Sequence, residues 1–116
     1  MNLYFLPFWE YYVCVRVIAK RSLKAFWERP GRGGARASLE SWHEEALRGK
    51  WASPHAVKSH FATASIVGRN RVVFNIGGNK YRLVVEMQYR AGIAWVKFVG
   101  THAEYDRINV ETVNDY

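Results

Sequence analysis

The sequence predicts an α+β fold, with N-terminal helices packed on one face of a small antiparallel sheet. Three observations carry this. Before residue 62 the apolar residues recur three and four apart, the spacing of one helix face. After residue 70 they fall in β-branched runs separated by tight-turn residues. The length, 116 residues, suits one domain with one core.

The elements follow in order. Val15-Arg16-Val17-Ile18-Ala19 reads as a short first strand. From Lys20 to Arg29, Leu23, Phe26 and Trp27 share one helical face, while Lys20, Arg21 and Lys24 give the helix a basic side. Pro30-Gly31-Arg32-Gly33-Gly34 ends that helix in a flexible link. A second helix spans about Ala35 to Arg48, with Leu39, Trp42, Ala46 and Leu47 as its apolar stripe and Gly49 as its stop. Ser53 is placed to cap a short helix that starts at Pro54 and runs through Val57 to Phe61. Arg71–Ile76, Lys80–Met87 and Ile93–Val99 read as three strands. Gly77-Gly78-Asn79 and Gln88–Gly92 join them, so the strands form an antiparallel meander. Thr101 caps a helical turn through Asp106, with Glu104 at the capping-box position. The tail from Asn109 to Tyr116 shows no clear pattern.

Composition narrows the class. The chain is 49% hydrophobic and 23% charged, which excludes a disordered protein. Its net charge is +7. Residues 15–61 hold ten Lys/Arg against four Glu, and residues 62–116 hold seven against five acids. Such an excess suits a polyanionic partner, although it also serves solubility. The single cysteine, Cys14, forms no internal disulfide and belongs to no CxxC or Cys/His cluster, which suits a reducing cytoplasm. Met1–Cys14, rich in aromatics, has no basic n-region, and Pro7 and Glu10 interrupt it. It reads as neither a cleaved signal nor a membrane helix, which needs roughly 20 apolar residues. Either it is an apolar arm, or translation starts near Val13 or Val15. The domain proper is expected over residues 15–116.

No Walker A, GxGxxG, HExxH or GxSxG pattern is present, and the carboxylates are too scattered for a metal-dependent nuclease. No cofactor and no metal site are expected. Candidate chemistry then rests on His, Tyr, Lys and Arg in two segments. The hairpin from Arg71 to Arg82 carries Arg71, Asn75, Asn79, Lys80 and Arg82, polar groups that face water or a ligand and suit phosphates. The turn after Gly100 places His102 and Tyr105 three apart on one side and His102 and Asp106 four apart, close enough to pair. A histidine beside a tyrosine is a plausible proton-transfer site; the same turn also reads as a capped element whose rings rest on the sheet. His43 reads as part of a solvated helix face. His55 and His60, five apart, do not share a helical face and make a poor metal pair. Trp95 and Phe98, three apart on a strand, are expected on opposite sides, one of them free to stack on a base or both buried.

The strings from Arg71 to Leu83 and from Phe98 to Asp106, together with Val15–Leu23 and the Trp42 helix, resemble the HigB-type toxins of the RelE superfamily. The resemblance covers about Val15 to Val113. It implies a RelE-like fold with a twisted antiparallel sheet. It implies the toxin of a type II toxin–antitoxin system: an mRNA interferase that enters the A site of the 30S ribosomal subunit and cleaves translated mRNA. It also implies a cognate HigA-like helix-turn-helix antitoxin, and no membrane. The chemistry it implies is metal-free attack of a ribose 2′-OH on the adjacent phosphorus. Lys80, Arg82, His102 and Tyr105 are then the catalytic candidates, and Arg71, Asn75 and Asn79 contact RNA. Lys20, Arg21 and Lys24 touch ribosomal RNA or the acidic antitoxin. The alternative is a non-catalytic RNA- or ribosome-binding protein that blocks the A site.

Overall fold

The computed structural model describes residues 15–116; the readings of Met1–Cys14 lie outside the described residues. Five strands and four helices follow in the order β1 (Arg16–Ile18), α1 (Lys20–Trp27), α2 (Arg36–Leu47), α3 (Pro54–His60), β2 (Ser65–Val67), β3 (Arg71–Ile76), β4 (Tyr81–Gln88), β5 (Ile93–Thr101) and α4 (His102–Tyr105). A 3₁₀ turn at Gly33–Ala35 leads into α2. Among the described residues no helix is long and apolar enough to cross a membrane.

The sheet order is β1-β5-β4-β3-β2. The expected meander is its centre, β3, β4 and β5, paired antiparallel. The sheet as a whole is mixed, however, because β1 pairs parallel with β5, Val17 opposite Ala94. A tight turn forces its two strands antiparallel, but β1 and β5 are separated by most of the domain, which frees their relative direction. On the other edge β2, too short to show alternation in sequence, pairs antiparallel with β3.

Two apolar layers sandwich this sheet. The larger joins Leu23 and Phe26 of α1 and Leu39, Trp42 and Ala46 of α2 to Val72, Phe74, Leu83, Val85, Ala94 and Val96 of the sheet. Phe74 is its aromatic hub, 5.2 Å from the Trp42 and Phe61 ring centroids and 5.7 Å from that of Trp51. The smaller lies on the opposite face: Val73, Val84 and Phe98, covered by Tyr105, Ile108, Val110 and Val113. The tail, patternless in sequence, therefore acts as a lid on the back of the sheet.

Three expectations change. Leu47 lies off the core stripe and is 39% exposed. His43 is buried, not solvated, and burial followed by the nearby Lys20 charge holds its basicity below the usual value. Trp95 and Phe98 share the back face. The register shifts between Val84 and Val85, so that Val84 pairs with Phe98 but Glu86 with Trp95. The extra residue in β5 cancels the alternation that sequence spacing assumes.

Candidate functional site

The two candidate segments, about twenty residues apart in sequence, meet at one end of the sheet. The β3–β4 turn is closed by Gly77 and Gly78, whose φ angles of +62° and +69° lie in the left-handed region. Beyond it, Tyr81 pairs with Thr101 and Arg82 with Gly100. The chain leaves β5 straight into α4. Thr101 caps that turn, its hydroxyl accepting the Glu104 N–H at 3.1 Å while the Glu104 carboxylate accepts the Thr101 N–H at 2.8 Å. The His102 N–H donates to the Lys80 carbonyl at 3.1 Å, so α4 is hydrogen-bonded directly to the hairpin.

Gly100 makes this junction possible. A Cβ there would lie 2.4 Å from Phe98 Cζ and 3.2 Å from Glu104 Cβ, so any side chain would have to displace the ring that closes on the strand.

Arg82 is the best-fixed candidate. It is 8% exposed. Its Nη2 donates to Asn79 Oδ1 at 2.7 Å, and its Nη1 donates to the Tyr81 and Asn79 carbonyls at 3.1 and 3.3 Å. The guanidinium carbon lies 5.9 Å from the Tyr105 ring centroid. Asn79 thus holds the arginine in place. Tyr105 itself is half-buried and rests beside Phe98, ring centroids 6.5 Å apart. His102 is more open. Its Nδ1 stands 3.5 Å from Asp106 Oδ2, and both side chains are at least half exposed. Lys80 is exposed beside the turn. Asn75 is exposed opposite Arg82. It also lines an open groove of about 400 Å³ that runs past Ser38, Ser41, Glu45 and Phe61 to Gly78.

The other candidates are elsewhere. Arg71 does not face water. It is 5% exposed on the back face, where Nη1 donates to the Val110 and Val113 carbonyls and Nε lies 3.5 Å from Glu86 Oε1. The tail that hides it had no legible pattern, so strand alternation alone could not show the cover. Lys20, Arg21 and Lys24 are exposed on α1, and Lys24 lies 4.0 Å from Glu28. What reaches the site from α1 is its far end: Arg29 and Arg32 lie 3.5 and 3.8 Å from the Glu104 carboxylate. The Thr101 N–H bond, above all, holds that carboxyl below its usual range; burial opposes it, and the Thr101 hydroxyl and then the Arg32 and Arg29 charges add smaller effects in the same lowering direction.

His60 has a role the spacing argument did not give it. Trp51 Nε1 donates to its Nδ1 at 3.0 Å, which leaves the proton of the neutral ring on Nε2, 2.9 Å from Glu45 Oε2. The imidazole links α2, α3 and the Trp51 loop. Among the described residues no three His, Cys, Asp or Glu side chains are grouped to hold a metal ion.

A model of the HigB_toxin family, the RelE-like toxic component of a toxin–antitoxin system, matches residues 35–108. The match spans more than half of the chain and includes both the hairpin and α4; the chain belongs to this family. No curated protein matches it.

Proposed function

Starting from a RelE-like toxin, we propose that the chain is an mRNA interferase: a ribosome-dependent endoribonuclease that cleaves translated mRNA in the A site and so inhibits translation. The observation that carries this reading is the junction of the basic hairpin with α4 through the His102–Lys80 backbone bond. It brings the segments that carry Lys80, Arg82, His102 and Tyr105 to one end of the sheet of a +7 protein.

The chemistry asks for three things: a base for the ribose 2′-OH, an acid for the departing 5′-oxygen, and positive charge on the pentacovalent phosphorane. Arg82 and Lys80 supply the charge. Arg82 is already oriented by Asn79 and the turn carbonyls, so little reorganisation accompanies the reaction. His102 is exposed to substrate and exchanges the proton, with Asp106 steadying its ring and Tyr105 orienting or sharing that role. The 2′-oxygen bonds to phosphorus, the bond to the 5′-oxygen breaks, and the products are a cyclic phosphate and a free 5′-hydroxyl. Asn75, at the groove rim, contacts the backbone or base of the RNA. Lys20, Arg21 and Lys24 form a separate basic face for ribosomal RNA or for a HigA-like helix-turn-helix antitoxin. The toxin domain is the one over residues 15–116, acting in the cytoplasm.

Induced expression in a bacterium tests this. Growth arrest with new mRNA ends inside translated codons is expected, lost in Arg82→Ala and His102→Ala and relieved by the antitoxin. Arrest with intact mRNA would instead favour a protein that only occupies the A site.

A further inference from the structure

Glu104 carries two arginines that the sequence reading did not single out. Its Oε2 lies 3.5 Å from Arg29 Nη2 and its Oε1 lies 3.8 Å from Arg32 Nη2. Both separations exceed the hydrogen-bond range, so the carboxylate holds the guanidinium groups nearby without consuming their donors. Oε1 already accepts the Thr101 N–H at 2.8 Å. Arg32 Nε, buried, has no hydrogen-bond partner among the described residues. Arg29 is also steadied from behind, its guanidinium carbon 5.4 Å from the Phe26 ring centroid. The two side chains are 50% and 30% exposed. Two guanidinium groups against one carboxylate leave a net positive charge, two residues along α4 from His102.

Resting on the ribonuclease reading above, we propose that Arg29 and Arg32 form a second phosphate subsite. It takes a backbone phosphate of the same RNA strand that flanks the one cleaved, and Glu104 keeps the pair facing it. Arginine suits this task because its planar donor fork matches phosphate oxygens. Through Glu104 the subsite is joined to α4, the element whose His102 N–H bonds to the Lys80 carbonyl.

The test is binding of a short, fluorescein-labelled, 2′-O-methylated single-stranded RNA, followed by anisotropy over a salt series. Each phosphate neutralised contributes about 0.7 to the slope of log K against log salt for a single strand. The double variant Arg29→Gln/Arg32→Gln is expected to lower the slope by about that amount. Arg48→Gln/Lys50→Gln removes the same charge at the opposite end of α2 and is expected to leave the slope unchanged. A folded Arg29→Gln/Arg32→Gln protein with the wild-type slope overturns the subsite. So does a wild-type protein that cleaves mRNA in cells yet shows no salt-dependent binding. A protein that never cleaves in cells overturns the ribonuclease reading, and the subsite with it. Should the double variant not fold, phenylglyoxal footprinting of the wild type decides: protection of Arg29 and Arg32 by the same RNA supports the subsite, and unchanged labelling overturns it.

Discussion

Arg71 and Arg82 make an instructive pair. Both lie in the central hairpin, both are nearly buried, at 5% and 8% exposure, and by register both sit on the back face of the sheet. Their surroundings differ. Arg71 is enclosed by the tail carbonyls of Val110 and Val113 and by Glu86. Among the described residues Arg82 is hydrogen-bonded to atoms of its own turn, and its guanidinium lies by the half-buried Tyr105 ring. In the first, Nη1 ties the distant tail to the sheet. The second is held at the edge of an accessible corner. The lesson is that a buried arginine in a basic hairpin is read by its acceptors: distant backbone carbonyls mark a clamp between elements, and local turn atoms mark a group that its own hairpin holds.

The sharpest way to break this contrast is to remove each arginine in turn. Arg82→Ala is expected to lower the rate of mRNA cleavage by about 10³-fold, the scale of losing a donor that stabilises developing charge, while the folded fraction stays high by circular dichroism. Arg71→Ala is expected to cost about 3 kcal/mol in urea unfolding, because two buried carbonyls and Glu86 lose their partner. Its cleavage should fall only with the folded fraction. Equal losses of stability in both would erase the distinction.

A smaller effect sharpens the Arg82 side. Gly100→Ala is expected to cost about 2 kcal/mol, since the new methyl overlaps the Phe98 ring, and to reduce cleavage by displacing α4. Thermal melts and single-turnover rates on one preparation check both. The smallest effect is in pH. Glu104 has its folded pKa depressed below the usual 4.5. Its contribution to stability is therefore fully present above the unfolded value and is lost as pH falls through the folded one. Melting temperature should decline below about pH 4.5, and Glu104→Gln, which still accepts the Thr101 N–H, should flatten that decline. An identical acid limb in the variant would show that other carboxylates set it.

Much of this was legible in the chain itself, and for local reasons. Strands β3, β4 and β5, the glycine turn between the first two, the Ser53 cap with Pro54 and the Thr101–Glu104 capping box all depend on residues within a few positions of one another. So does the approach of His102 to Asp106, one helical turn apart. The candidate site was legible as two motifs, because their residue types suit phosphate and proton transfer wherever they sit; that the two motifs meet was not.

Tertiary structure alone decided what depends on distant partners. Among such outcomes are the parallel docking of β1, the one-residue slip that turns Trp95 to the face of Phe98, and the burial of His43 beside Lys20. They also include the enclosure of Arg71 by a tail with no pattern of its own, and the arrival of Arg29 and Arg32 at Glu104. Periodicity reports which residues share a face of one element; which element then covers that face is set by packing across the whole chain.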